Sequence, residues 1–551
     1  METTPKPSTT RASGLGALTG VVPYLLLLAH AYSVFALTED DSYITLRYAA
    51  NLAAGHGAVY NVGERVEGYT SFLHMLIDAV ICRVFGMADP MFVVKVVSLL
   101  FGFCTLAAVY KLGLAVGLNR AGAIAAQTLM SISIAFAVSS VNGLETTLYT
   151  FLLTLALTSL VREVSTEGQG GWMSGLVLFV ATLARPDGMV LFGFILACRL
   201  LARGTVPSMR RDVVRWAMAY VVPLALFFAA RYAYYGSVLP NTYYAKASPL
   251  AYSVKQGLIY LGGKFPYTHP FDVKKGLMSA VHAAGVGPTV AFGAFVGLFW
   301  GTAFAGVLTP RLRPQARLIL ASVIVGQIAF ILRSGGDWMS SWRFVAAILP
   351  VVVVAQVSNA PFMVDNGVER RSIFPLRAPS IALAAFLLST VACEAYVRHP
   401  SWGSAGFTTS GHKLLETAKW GKLWFAMGRY MNDRMPHGCT VATTEVGYPG
   451  YSNLDKTVID MQGLTDKTIA RMPLPHSIVG LTPDRWYVPG DPVGEYLKKR
   501  RPDYIVTFFA GPSMPVHPLG EYDRVDTISA PAFYDEGTVE LWVFRRSGVG
   551  R

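Results

Sequence analysis

Two adjacent carboxylates, Asp40 and Asp41, follow the first long apolar stretch of the sequence, with Glu39 directly before them. They open a polar segment that reads Glu-Asp-Asp-Ser-Tyr-Ile-Thr-Leu-Arg. Ionisable groups in or beside a bilayer are costly, so an acid pair there marks a working site by default. Glycosyl transfer from an activated lipid needs a carboxylate to take the proton of the acceptor hydroxyl as the new bond forms. A second carboxylate can orient the acceptor, or shift the first one's pKa through like-charge proximity. Adjacent acids point in different directions, so one is read as the base and the other as an orienting or acceptor-binding group. The blander reading is a helix end decorated with acids. Arg47, about one and a half helical turns on, is read as a partner for an acid or as a cation for a donor phosphate.

Further polar groups recur at the ends of later apolar segments. Glu67 and Tyr69 lie on the same loop as the acid pair and are read as acceptor-binding. Glu145, in Asn142-Gly143-Leu144-Glu145, stands at a helix start, where an acid is also a favourable dipole partner. Arg185-Pro186-Asp187 joins two short apolar segments; Arg185 suits a leaving phosphate and Asp187 would hold it. In Pro240-Asn241-Thr242-Tyr243-Tyr244-Ala245-Lys246, Lys246 can neutralise a phosphate and Asn241 can hydrogen-bond a hydroxyl. Tyr243 and Tyr244 can stack on a sugar or flank a lipid chain, or simply anchor at the interface. Asp337-Trp338, followed by Trp342-Arg343, again combines an acid, aromatics and a cation; Asp337 and Trp338 are read as sugar-binding. An acid pair can also hold a divalent cation, but no remaining ligands stand out, so metal use stays open.

The elements that must position these groups are membrane spans. Of 551 residues, 53% are hydrophobic and only 15% are charged, where a soluble protein carries about 25% charge. Apolar runs start at 15–37 and continue at 90–113, 121–139, 146–161, 172–184, 188–202, 216–233, 286–308, 318–333, 343–358 and 379–397, which predicts eleven crossings. The stretch 69–85 carries His74, Asp78 and Arg83 and reads as an amphipathic helix lying at the interface. With that stretch flat, alternate loops sort by charge. Lys6, Arg11, Arg120, Arg162, Arg203, Arg210, Arg211, Arg215, Arg311, Arg313, Arg317, Arg370, Arg371 and Arg377 fall on one side, which is cytoplasmic by the positive-inside rule. Every polar motif named above falls on the other, external side. The net charge of +13 is therefore topological, and nucleic-acid binding is not expected.

Three regions follow: a cytoplasmic tail (1–13), a membrane domain (14–397) with external loops at 38–89 and 236–285, and an external mixed α/β domain (398–551). In the last, Thr440–Thr443, Thr457–Met461 and Tyr504–Phe509 read as strands, 494–501 as a helix, and the region around 538–545 as part of a strand pair. Its acidic turns, at Glu445-Val446-Gly447-Tyr448 and Asp460-Met461-Gln462-Gly463, are read either as glycan-binding or as strand caps. No phosphate-binding Gly-rich loop and no hydrolase motif occurs. The five cysteines show neither a disulfide framework nor metal-ligand spacing.

Taken together, these motifs resemble the GT-C class of membrane glycosyltransferases, and within it the AftB-type arabinofuranosyltransferases. The likeness rests on the first loop: Asp40-Asp41, Ile44, Leu46-Arg47, Asn51-Leu52, Ala54-Gly55, Gly57, Val59, Asn61, Gly63-Glu64-Arg65-Val66-Glu67 and Thr70-Ser71. Gly143-Leu144-Glu145 and Arg185-Pro186 follow in the same order. The Tyr69-Thr70 and Pro240-Asn241-Thr242-Tyr243 segments depart from that type. The resemblance implies a multi-pass protein of a bacterial plasma membrane, with Asp40 or Asp41 as general base. It implies a decaprenyl- or undecaprenyl-phosphate sugar as donor, most simply arabinofuranose, and a cell-surface glycan or glycoprotein as acceptor. A hexose transferase using the same kind of donor, or a transporter using the acids for ion coupling, is the alternative.

Overall fold

The computed structural model describes residues 12–165, 171–203, 207–262, 288–337, 339, 342–364, 421–472, 492–508, 521–531 and 538–549. Trp338, the expected crossing at 379–397 and parts of the two expected external regions lie outside them. The apolar runs fold as helices: α1 (Ala12–Ser33), α2 (Asp40–Ala53), α3 (Phe72–Phe85), α4 (Met91–Val116), α5 (Arg120–Ile132), α6 (Ile134–Ser139) and α7 (Thr146–Ser165). They continue with α8 (Met173–Ala184), α9 (Asp187–Arg203), α10 (Pro207–Tyr235), α11 (Asn241–Ala245), α12 (Leu250–Leu261), α13 (Pro288–Leu308), α14 (Pro314–Ser334), α15 (Arg343–Ala346) and α16 (Leu349–Val357).

Among the described residues, Met91–Val116, Thr146–Ser165, Arg210–Tyr235 and Pro314–Ser334 are long and apolar enough to cross a membrane. Eleven crossings were expected, of which 379–397 lies outside the described residues, and two of the others differ from the expected spans for a physical reason. α8 has 12 residues, about 18 Å of helix against a hydrocarbon core of about 30 Å. The expected span at 121–139 is broken at Ser133, whose backbone is extended between α5 and α6. α3 has 14 residues and is likewise too short to cross upright. It buries His74 and Asp78 while Val80, Val84 and Phe85 are 62%, 67% and 66% exposed, the apolar-side-out pattern of a helix lying along lipid.

The loops sort to two ends of the bundle. At one, the Arg313 N–H donates to Val116 O (3.2 Å), Arg311 Nη1 to Asn359 O (3.0 Å) and Asn119 Nδ2 to Phe362 O (2.8 Å). The other end carries α2, α3, α11 and the C-terminal unit.

That unit contains α17 (Gly421–Arg434), β1 (Thr440–Thr443), α18 (Tyr448–Tyr451), β2 (Thr457–Asp460), α19 (Pro492–Arg500), β3 (Tyr504–Phe508), β4 (Tyr522–Pro531) and β5 (Thr538–Arg546). The sheet order is β2-β1-β3-β5-β4, parallel across β2-β1-β3 and antiparallel thereafter. The parallel strands are short, apolar runs, as strands covered on both faces are. Tyr43, Ile44 and Leu46 of α2, with Met75 and Ala79 of α3, share one apolar core with Leu423, Trp424, Met427, Val441, Val446 and Val506. Tyr43 packs edge-on against Tyr448, ring centroids 5.1 Å apart. The sheet unit is therefore fused to the first loop through a common core rather than tethered beside it.

Candidate active site

The acid pair is set by what holds α2. After α1, Lys95 Nζ of α4 donates to the carbonyls of Phe35 (2.8 Å) and Leu37 (2.6 Å), fixing the turn that leads into the acids. The Glu39 N–H donates to Asn142 O (3.2 Å). Gly143 makes this approach possible. Its φ is +85°, and an added Cβ would press on Ser42 and Met91, so glycine is required for both backbone and packing reasons. The Gly-Leu-Glu motif thus brings Glu145 beside the first turn of α2.

The two aspartates are not equivalent. Asp40 is buried and accepts the backbone N–H groups of Gly447 (3.0 Å) and Tyr448 (2.8 Å) from the C-terminal unit. A side chain at Gly447 would overlap Asp40. Burial, with Glu445 nearby, pushes the Asp40 carboxyl well above its ordinary range. Asp41 is the partly open member, and its carboxylate makes no hydrogen bond among the described residues. Burial raises its pKa; Lys246 and Arg343 pull it back, and Asp337 and Glu145 add to the rise. Glu39 is buried, and burial together with the Asp41 charge lifts it to about 8.

A chain of alternating charge runs past Asp41. Asp187 Oδ1 accepts from Arg185 Nε (3.0 Å), and Arg185 Nη1 reaches Glu145 Oε1 (3.0 Å). Arg343 lies 3.9 Å from that same Glu145 oxygen, and its Nε donates to Asp337 Oδ2 (2.6 Å). Gln327 Nε2 donates to Asp187 Oδ2 (3.3 Å). Burial would raise Glu145, but Arg343 and Arg185 outweigh it and hold the carboxyl below its usual value. Arg185 also lies over the Phe344 ring, 4.9 Å from its centroid. Segments far apart in sequence supply these groups: the Asp41, Glu145, Arg185–Asp187 and Asp337–Arg343 segments are ones that parity put on one side, and Gln327 comes from within α14.

Several expected site residues do other work, and these are corrections. Arg47 is not free for a phosphate. Nε donates to Tyr60 O (2.8 Å), Nη1 to Gly450 O and Asn453 O (3.1 Å), and Nη2 to Asn61 Oδ1 (3.3 Å) and Lys456 O (2.7 Å). A guanidinium has five N–H donors, and all are used. Asn241 is not free for a hydroxyl: Nδ2 donates to the carbonyls of Gly463 (2.8 Å), Leu464 (3.1 Å) and Asp466 (3.1 Å), and Oδ1 accepts from Arg471 Nη1 (2.9 Å). Glu67 is buried against Arg231 Nε (2.9 Å), with burial lifting it to about 7. Tyr69 is buried with its hydroxyl 2.9 Å from that of Tyr235. Tyr244 lies under Arg471, 4.1 Å from guanidinium to ring centroid, while Tyr243 is exposed beside it. Lys246 is exposed at the lip, within electrostatic reach of Asp41.

Of two further groups at the cluster, one was given no role from sequence and the other was read only as glycan-binding or as a strand cap. Arg343 is one; its signal was the Asp-Trp…Trp-Arg run, which pairs an acid and a cation across one turn. Glu445 is the other: it follows β1, and its Oε2 accepts from Trp424 Nε1 (2.6 Å). Burial and the Asp41 charge raise Glu445 to about 7. Among the described residues no group of three or more His, Cys, Asp or Glu side chains is disposed to hold a metal ion. The acids are interleaved with Arg185, Arg343 and Lys246, which supply the balancing charge.

The helical bundle with its sheet unit has the fold of the GT-C membrane glycosyltransferases. It matches the Archaeoglobus fulgidus oligosaccharyltransferase tethered with an acceptor peptide, at a TM-score of 0.52 and 12% identity, over 90% of this chain and 69% of that one. It also matches ArnT from Cupriavidus metallidurans bound to undecaprenyl phosphate, at a TM-score of 0.50 and 13% identity, over 97% and 98%. In sequence it is similar to the terminal beta-(1->2)-arabinofuranosyltransferase of Mycobacterium tuberculosis (strain ATCC 25618 / H37Rv). That match is 27% identical over 360 residues, 60% of this chain and 53% of the relative, so the chain spans about half the length of that protein. Residues 413–543 match a domain of unknown function (DUF8728).

Proposed function

We propose that this protein is a GT-C glycosyltransferase that moves a sugar, arabinofuranose first among them, from a polyprenyl phosphate to an extracytoplasmic glycan or glycoprotein. One observation carries the reading: Asp41 stands open and unbonded among the described residues, beside Arg343 and Lys246, at the polar end of an apolar bundle. A general base needs an accessible carboxylate, and a departing phosphate needs cations beside it.

Asp41 takes the proton of the acceptor hydroxyl as its oxygen bonds to the anomeric carbon. The bond from that carbon to the phosphate oxygen breaks, and its electron pair leaves on the polyprenyl phosphate. Arg343 and Lys246 stabilise that charge, with Arg185 behind Glu145. Asp40, clamped by two backbone N–H groups, holds the first turn of α2 in place and is not the base. The sugar–phosphate bond supplies the driving force, so no nucleotide is required. The acids and arginines counter one another in pairs.

The test incubates membranes bearing the protein with radiolabelled arabinofuranosyl, mannosyl and glucosyl polyprenyl phosphates, using wild type, Asp40→Asn and Asp41→Asn. Transfer from the arabinofuranosyl donor that vanishes in Asp41→Asn is the expected result. Transfer from a hexosyl donor alone would replace the sugar, and no transfer from any donor would overturn the enzyme reading.

A further inference from the structure

The C-terminal unit does more than cover the site, because one of its turns enters it. The turn after β1 runs Glu445-Val446-Gly447-Tyr448. Its last two residues hold Asp40 through their N–H groups, which fixes where the first residue can stand. Glu445 Oε2 is anchored by the Trp424 indole N–H at 2.6 Å, and the Glu445 N–H donates to Thr443 Oγ1 (3.2 Å). Among the described residues the other carboxylate oxygen, Oε1, makes no hydrogen bond, and the side chain is only partly buried. It is thus a preset acceptor of hydrogen bonds with one vacant position, within electrostatic reach of Asp41.

Its location and charge exclude the donor. Arg343 acts on Asp41 from a helix end and Lys246 from the lip, whereas Glu445 approaches from the sheet unit, and a carboxylate repels a phosphate. Sugar hydroxyls are strong partners for such a group, since hydrogen bonds to an ionised acceptor are shorter and stronger than neutral ones. Resting on the glycosyltransferase reading above, we propose that Glu445 is an acceptor-binding residue. Its free oxygen accepts the hydroxyl adjacent to the one that Asp41 deprotonates, so the acceptor is a sugar bearing vicinal hydroxyls. Asp41 and Glu445 then grip one diol, and the sheet unit supplies half of the acceptor subsite.

The experiment uses the full chain in lipid nanodiscs, with a synthetic octyl arabinofuranosyl disaccharide and its monodeoxy analogues as acceptor probes. Acceptor binding is measured without donor, and transfer is measured with the labelled donor that wild type accepts. Glu445→Gln should raise the acceptor Kd and KM roughly tenfold or more, the loss of one hydrogen bond to a charged group, and leave the donor KM unchanged. The analogue lacking the neighbouring hydroxyl should bind wild type and Glu445→Gln alike. Trp424→Phe, which removes the anchoring N–H, should reproduce the acceptor defect in a protein whose thermal unfolding matches wild type. Unchanged acceptor binding by both variants, or an equal loss on every deoxy analogue, would overturn the proposal. Wild type that binds the probe in a Glu445-dependent way but transfers from no donor would leave the subsite standing and remove the transferase reading.

Discussion

Neighbouring aspartates that look interchangeable in sequence are separated by their partners. Asp41→Asn removes the base and should lower kcat by roughly 10²- to 10⁴-fold, with little change in thermal unfolding. Asp40→Asn should do the reverse in part. Its amide nitrogen cannot accept the N–H of Gly447 or Tyr448, so the midpoint of thermal unfolding in detergent should fall and activity should fall with it. Arg343 sits between Glu145 and Asp337. Arg343→Gln should raise the donor KM more than the acceptor KM, measured by varying each substrate in turn, because the cation that faces the departing phosphate is gone. The pH profile follows from burial. Asp41 is raised above its ordinary value, so at acid pH it is protonated and cannot serve as base. Transfer should climb as pH rises through this raised Asp41 pKa, so its acid limb lies above the ordinary aspartate range. In Asp337→Asn a negative neighbour that raises Asp41 is absent, and the acid limb of kcat/KM should move to lower pH.

At the scale of elements, the loops are held by hydrogen bonds that reach across most of the chain. Arg47→Lys replaces five donors with three and Arg47→Ala leaves all five acceptors bare; the latter should cost at least about 3 kcal/mol. Limited proteolysis of the C-terminal unit, faster in both variants, is the measurement. Gly447→Ala should be as damaging as a change at the acids, since its Cβ would displace Asp40. Here the reach of sequence reasoning is plain. β1, β2, β3 and α19 were legible to within two residues, because apolar runs bounded by turn residues carry their own signal. β4 was not located, since Tyr522–Pro531 is an edge strand whose first half carries Asp523, Arg524 and Asp526 in place of an apolar run. The acid pair, Glu145, Arg185 and Asp337 were legible because a charge beside an apolar run is conspicuous. Arg47 and Asn241 were misread for the same reason. A polar group that saturates backbone carbonyls of a distant domain looks, in one dimension, like one awaiting a ligand.

For the whole molecule, Arg311 and Arg313 join the Val116–Asn119 and Asn359–Phe362 segments at the end of α4 away from the acids, and charge parity predicts that this end is cytoplasmic. The absolute sense follows from the positive-inside rule. A periplasm-dependent phosphatase fused after Arg551 should be active, while a fluorescent protein that matures only in the cytosol should stay dark there. The order of manufacture has its own consequence. Asp40 is clamped by amides 407 and 408 positions further along, and proteins emerge from the ribosome beginning at their N-terminus. Through most of its synthesis the nascent chain therefore carries an acid pair without the amides that clamp Asp40. That clamp waits for the turn after β1 to be made and folded. A product that stops short of that turn should in consequence be inert, which would make the late unit a safety catch on the machinery laid down first.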